Sequence, residues 1–176
     1  MAGIDVEELQ EVFDYWQSKR RGRSMPSRTE IDPLEIPGRL WPRISMLDVV
    51  RCDGIARFRY RRVGSHFVET FGLDPTGRFI DEALTTRGRY RDYVISLYQH
   101  LVDVRKPIYS ENMFWIDGVP QSHKQTKRLI LPLSSDDREV DIILVVHAVV
   151  YIARSEAEAP QAASEFMEGT RIVLET

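Results

Sequence analysis

The sequence predicts an α+β domain, and three observations point to it. Five segments carry the aromatic and β-branched residues that suit a pleated, half-buried strand: 45–52, 57–63, 108–115, 127–133 and 139–152. Two longer segments, 5–19 and 90–104, repeat apolar residues at helical spacing. Between strands lie turn sequences: Asp53-Gly54, Asp117-Gly118-Val119-Pro120 and Ser134-Ser135-Asp136-Asp137.

The first element is an amphipathic helix within residues 1–22. Val6, Leu9, Phe13 and Trp16 recur three and four residues apart. Glu7, Glu8 and Glu11 sit near its start and Lys19-Arg20-Arg21 at its end, an order that suits the helix dipole. Gly22 ends it. Residues 23–43 hold four prolines (26, 33, 37 and 42) and read as an extended connection.

The stretch from Phe58 to Asp81 reads strand, turn, short helix, turn, helix start. Phe58 and Tyr60 alternate with Arg57, Arg59 and Arg61 at a period of two. Gly64-Ser65 breaks the strand, and the Ser65 hydroxyl suits an N-cap. A short helix then runs to Phe71, with Phe67 and Phe71 on one face. Gly72 fits the left-handed residue that closes many helices, and Asp74-Pro75-Thr76-Gly77 is a turn. In the later helix Tyr93, Leu97, His100 and Leu101 share an inner face beside Val94 and Tyr98, and Lys106-Pro107 stops it.

Several pieces in order carry a resemblance. They are Asp32-Pro33-Leu34-Glu35-Ile36-Pro37, Leu40-Trp41-Pro42-Arg43-Ile44, Leu47-Asp48-Val49, Phe58 to Ser65, Gly72 to Gly77 and Arg128 to Ser134. Together they resemble the PAS domain, in particular a bacterial, alphaproteobacterial PAS-like family, over residues 5–151. The resemblance implies a PAS-like five-stranded antiparallel sheet with helices on one face, here preceded by the N-terminal helix. It divides the chain into a helix (1–22), the PAS-like domain (23–152) and a C-terminal linker or tail (153–176). Within the tail, Ile172-Val173-Leu174 reads as an added strand or an interaction tail.

The resemblance also implies a cavity between the sheet and the crossing helices. The expected ligand-binding residues are Tyr60, Phe67, Phe71, Phe79, Tyr93, Leu97, Leu131 and His147, with Leu84, Phe114 or Trp115 and Leu129 beside them. The set is mostly apolar with a few polar groups, as small-molecule sites tend to be. The same residues equally make a filled core. The resemblance implies no particular ligand, and no cofactor is named by it.

Composition narrows the function classes. The hydrophobic fraction is 43%, the charged fraction 29% and the net charge −3, too mild for a nucleic-acid partner. The lone cysteine, Cys52, excludes an internal disulfide and suits a reducing compartment. The N-terminus has no signal-peptide pattern, and the apolar run 142–152 is interrupted by His147 and too short to span a bilayer. The expectation is a cytoplasmic protein with no membrane partner.

Candidate chemical groups divide between sharp and plain readings. His147 lies in the apolar last strand on the face of Ile143, Val145 and Val149. It is either a pocket histidine, able to bond a ligand or haem iron, or a core histidine satisfied by a neighbour. His66 begins the short helix. No two histidines have metal-site spacing. Cys52 lacks the Asn-Cys-Arg-Phe-Leu-Gln context of flavin-linking PAS domains. Nucleophile-elbow and phosphate-loop patterns are absent, so no enzyme is expected. Arg57, Arg59 and Arg61 on one strand face serve a phosphate-bearing ligand or acidic partner, or form a solvated face balanced by carboxylates.

These readings combine into a PAS-like sensory or regulatory module that binds a small molecule, a partner protein or both, and signals in trans without an output domain of its own. The last strand is apolar on both sides and needs cover on both. The N-terminal helix or a second copy supplies it, so a homodimer is expected. The rivals are an interaction adaptor with a filled core and a small cone-shaped enzyme using a pocket histidine.

Overall fold

The computed structural model describes residues 4–85, 88–115, 122–153 and 166–176. The apolar stripe of the N-terminus forms helix α1 (Glu7–Ser18), which buries Leu9, Val12, Phe13 and Trp16. Residues 23–43 are more structured than an extended connection. They hold two short 3₁₀ turns, Arg28–Glu30 and Gly38–Arg43. Ser27 and Glu30 cap the first reciprocally. The Asp137 carboxylate accepts from the amides of Ser24 (3.0 Å) and Met25 (3.1 Å), which pins the segment to the domain and buries Met25.

Strands β1 (Ile44–Cys52) and β2 (Ile55–Arg62) form the expected hairpin. Asp53 (φ 51°) and Gly54 (φ 79°) are both left-handed, the pair of angles that a two-residue I′ turn requires. Helix α2 (Ser65–Phe71) follows and closes on Gly72 at φ 71°. Its N-cap is Gly64, not Ser65, and no side chain caps it. Space decides this. A Cβ at Gly64 would stand 2.3 Å from the Pro42 carbonyl oxygen, so only glycine lets the chain turn there. The Asp74 carboxylate organises the next turn through the Thr76 amide (3.0 Å) and hydroxyl (2.6 Å). Helices α3 (Ile80–Ala83) and α4 (Gly88–Val104) complete the connection. On α4, Tyr90, Tyr93, Val94, Leu97, Tyr98 and Leu101 are buried, while His100 is only half-buried.

Strands β3 (Ile108–Trp115), β4 (Ser122–Leu133) and β5 (Ile142–Ala153) follow. A sixth strand, β6 (Phe166–Val173), corrects the expected count of five. Ile172 and Val173 pair with Tyr109 and Ile108, so this part of the tail extends the sheet. Of the linker expected at 153–166, residues 154–165 lie outside the described residues, as does the turn at 117–120, while Ala153 and Phe166 belong to β5 and β6. The order is β2-β1-β5-β4-β3-β6, with every neighbouring pair antiparallel.

Because successive strand residues point to opposite faces, the register sorts the core into two layers. One face carries Leu47, Phe58, Tyr60, Ile130, Val145 and His147 and lies under α2 and α4. There the Phe58 and Tyr98 rings meet edge-on at 5.5 Å. The other face carries Met46, Leu129, Leu131, Leu144 and Val146 and is covered by α1. The Trp16 indole N–H donates to the Pro132 carbonyl at 2.9 Å. Asp5 accepts from the Tyr109 hydroxyl at 3.0 Å and pairs with Lys127. The double cover explains the apolar faces of β5, and of the two expected covers, the N-terminal helix or a second copy, it is the chain's own helix that lies on this face.

Candidate functional site

The register of β3, β4 and β5 sets three polar residues in one row beneath α4. Ser110 lies opposite Arg128, and Arg128 lies opposite His147. Asn112 sits two residues beyond Ser110 on the same face. Directly opposed side chains are about 5 Å apart at Cβ, so the row is a contiguous cluster. Ser110, Asn112 and Arg128 have no exposed surface, and His147 retains 6%.

Arg128 is the unusual member. Its Nη2 donates to the Tyr90 hydroxyl at 3.0 Å and its Nη1 to Asn112 Oδ1 at 3.4 Å, while the guanidinium carbon lies 5.9 Å from the Tyr90 ring centre. None of these partners is an anion. A guanidinium cannot shed its proton in a protein, so a full positive charge is buried without a described carboxylate beside it. Four buried polar atoms in the cluster have no described hydrogen-bond partner: Arg128 Nε, Asn112 Nδ2, Ser110 Oγ and His147 Nδ1. Such atoms are uncommon in folded proteins, and each costs about 1–3 kcal/mol of desolvation.

His147 stays neutral beside this charge. Burial pushes its pKa well below the ordinary histidine value, and the Arg128 and His66 charges push in the same direction. A bond to the Arg43 backbone opposes them weakly. Aromatic rings wall the cluster: Phe67 stands 5.9 Å from the His147 ring and 5.8 Å from Tyr60, while Phe166 stands 5.6 Å from Tyr90 and 4.9 Å from Tyr93. Burial raises the Tyr60 hydroxyl well above the usual phenol range, so it remains protonated.

The structure places the expected ligand residues unevenly. Tyr60, Phe67 and His147 come together, and Tyr93 and Leu97 lie buried on α4. Leu131 does not join them. It pairs with Leu144 on the α1 face, because the ladder with β5 puts the even-numbered residues of β4, Arg128 among them, on the α4 face; Leu129 is displaced with it. Phe79 also stands apart, half-buried at the N-cap of α3 with the Arg57 guanidinium 3.9 Å above its ring. The side chains of Phe71, Phe114 and Trp115 lie outside the described ones. Arg128, Asn112 and Ser110 were missed. An arginine and small polar residues in strands read as solvent-facing, and only the register against His147 shows them to be interior.

The arginine-rich strand resolves as a balanced face. Arg57 bonds Asp81 (2.8 Å) and Glu82 (3.0 Å), and Asp48 takes both Arg59 (3.0 Å) and Arg61 (2.6 Å). Arg62 lies over the Trp41 ring at 4.5 Å. An open cleft of about 530 Å³ beside the β1–β2 hairpin is lined by Ile55, Gln99, Asp103 and Arg105, and its Arg51 and Glu139 pair with each other at 2.7 Å. Cys52 is exposed. Among the described residues no three His, Cys, Asp or Glu side chains group to hold a metal ion, and no helix is long and apolar enough to cross a membrane.

No curated protein and no solved structure matches the chain. A family model for the PAS domain matches residues 4–147, from the residues just before α1 to His147 in β5. The matched region includes both covered faces of the sheet and the polar row beneath α4. PAS domains are sensory and regulatory modules. On this match, the chain belongs to the PAS domain family.

Proposed function

We propose that this PAS domain is a small-molecule sensor whose ligand is held between the sheet and helices α2 and α4, and whose signal passes to a partner protein in a reducing, cytoplasmic setting. The observation that supports this reading is the polar row inside the aromatic layer. A core selected for packing alone would place aliphatic side chains at 110, 112 and 128, since buried polar atoms stabilise only when fully bonded. Unpaired donors enclosed by rings are what a ligand site offers before its ligand arrives.

Signalling follows from the arrangement of β4. Arg128 faces α4, while Leu129, Leu131 and the Pro132 carbonyl face α1. A ligand that repositions β4 from one side biases the seating of α1 on the other, a shift between two packings of the same helix. Self-association would use a surface other than the face α1 covers.

The test is native mass spectrometry of the purified protein, followed by denaturation and identification of what is released. Release of one bound small molecule supports the reading. An apo mass, together with no thermal response to a broad metabolite panel, overturns it in favour of a closed interaction adaptor.

A further inference from the structure

Charge carries the argument beyond the presence of a ligand to its chemical class, and this step rests on the sensor reading above. Among the described residues the interior cluster holds one permanent cation, Arg128, and His147 is kept neutral beside it. The nearest carboxylate in sequence, Glu111, turns to the opposite face of the sheet. It meets the Tyr109 hydroxyl at 2.5 Å and Gln125 Nε2 at 3.2 Å there. Of the three unpaired nitrogens in the cluster, Arg128 Nε and Asn112 Nδ2 are donors and His147 Nδ1 belongs to a neutral ring, while the Ser110 hydroxyl can donate. A site with one buried positive charge and several idle donors is complementary to negative charge.

The magnitude of that charge narrows the class. A single guanidinium balances a single negative charge. A dianionic phosphate would leave a second charge uncompensated among Phe67, Tyr60 and Phe166, where burial of an unpaired ion is strongly unfavourable. The rings that wall the cluster favour an apolar body on the ligand. We infer that the interior site binds a small monocarboxylate with a compact apolar body, its carboxylate accepting from Arg128 Nε and the Asn112 amide. Since these atoms have no exposed surface, α2 or α4 parts to admit the ligand and closes over it.

The experiment is thermal unfolding and calorimetric titration of the full chain with sodium acetate, butyrate and benzoate. Sodium chloride at matched ionic strength and neutral benzamide serve as controls. At least one carboxylate is expected to raise Tm while benzamide and chloride do not, and Arg128→Gln is expected to weaken that binding at least tenfold. Asn112→Asp is the second variant and guards against an unfolded Arg128→Gln. It places a carboxylate beside the guanidinium, 3.4 Å from Nη1 in the present geometry. The expected result is a higher Tm for the ligand-free variant and loss of the carboxylate response.

Equal responses to benzoate and benzamide, or a neutral molecule released from the native protein, would overturn the anion assignment and leave the sensor reading standing. No response to any probe, with an apo native mass and no gain in Tm for Asn112→Asp, would overturn both. The idle donors would then be satisfied by buried water alone.

Discussion

Seating of α1 on the sheet depends most on one side chain, and its removal has a calculable effect. Trp16 is fully buried, and its indole N–H donates to the Pro132 carbonyl at 2.9 Å. In Trp16→Ala the lost aromatic volume predicts a destabilisation of about 3–5 kcal/mol. The orphaned carbonyl places it toward the upper end. In Trp16→Phe most of the apolar surface survives. The loss is then mainly the hydrogen bond and the unpaired acceptor, about 1–3 kcal/mol. For a chain of this size each kcal/mol moves Tm by about 2–4 °C. Equilibrium urea unfolding followed by far-ultraviolet circular dichroism separates the two variants, because it does not depend on the removed tryptophan's fluorescence. A Trp16→Ala protein within 1 kcal/mol of wild type would show that α1 is not docked on the sheet in solution. Equal losses for the two variants would show that the Pro132 bond contributes nothing.

Three further outcomes follow from other parts of the fold. His147 is neutral when folded, with a pKa well below the ordinary 6.5, so the unfolded chain binds the extra proton as pH falls. Stability therefore decreases below pH 6.5, by about 1.4 kcal/mol from this group between pH 7.5 and 5.5. Urea titrations at the two pH values are expected to show that share of the difference disappear in His147→Gln; an unchanged slope would place the imidazole in water. Gly64→Ala forces a Cβ against the Pro42 carbonyl, 2.3 Å away before relaxation, and is expected to lower stability by about 1–3 kcal/mol or more in the same assay. Gly169→Ala sets a Cβ 2.9 Å from the Glu111 carbonyl oxygen across the β3–β6 pairing. Hydrogen exchange is expected to quicken at the β6-bonded amides of β3, and unchanged protection would show that β6 is not seated there.

Local chemistry made much of the fold legible. Asp53-Gly54 specifies its own turn, because both residues tolerate left-handed backbone. The stripe of α1 and the capping glycine of α2 are equally local. What escaped was set by distant contacts. The cap is Gly64 rather than Ser65, and it sits where Pro42, 22 positions earlier in the chain, leaves no room for a side chain. Strand β4 starts at Ser122, earlier than the apolar residues suggest, because its ladder with β5 continues to Ala153. The resemblance puts Leu131 and His147 in one cavity, and the register puts them on opposite faces, since a one-residue offset exchanges the two sides of a strand. Arg128 was unreadable as an interior residue for the same reason. Its partners Asn112 and Tyr90 are 16 and 38 residues away in sequence.

On the proposed reading, strand β4 divides stability and recognition between its two faces. Its α1 face is built for stability: Leu129, Leu131 and Leu133 are buried apolar residues in a layer that contains Trp16. Its α4 face would be more stable with the same chemistry at 128, because a buried charge without a counter-charge is costlier than a well-packed hydrophobe. Two hydrogen bonds to neutral partners recover only part of the desolvation of a guanidinium. The remainder is a standing destabilisation that a carboxylate bound as proposed would remove. Under that proposal, free energy released on that side of the strand would reach the seat of α1 through the adjacent residue rather than through a distant relay. That is the shortest coupling a sheet covered on both faces can provide.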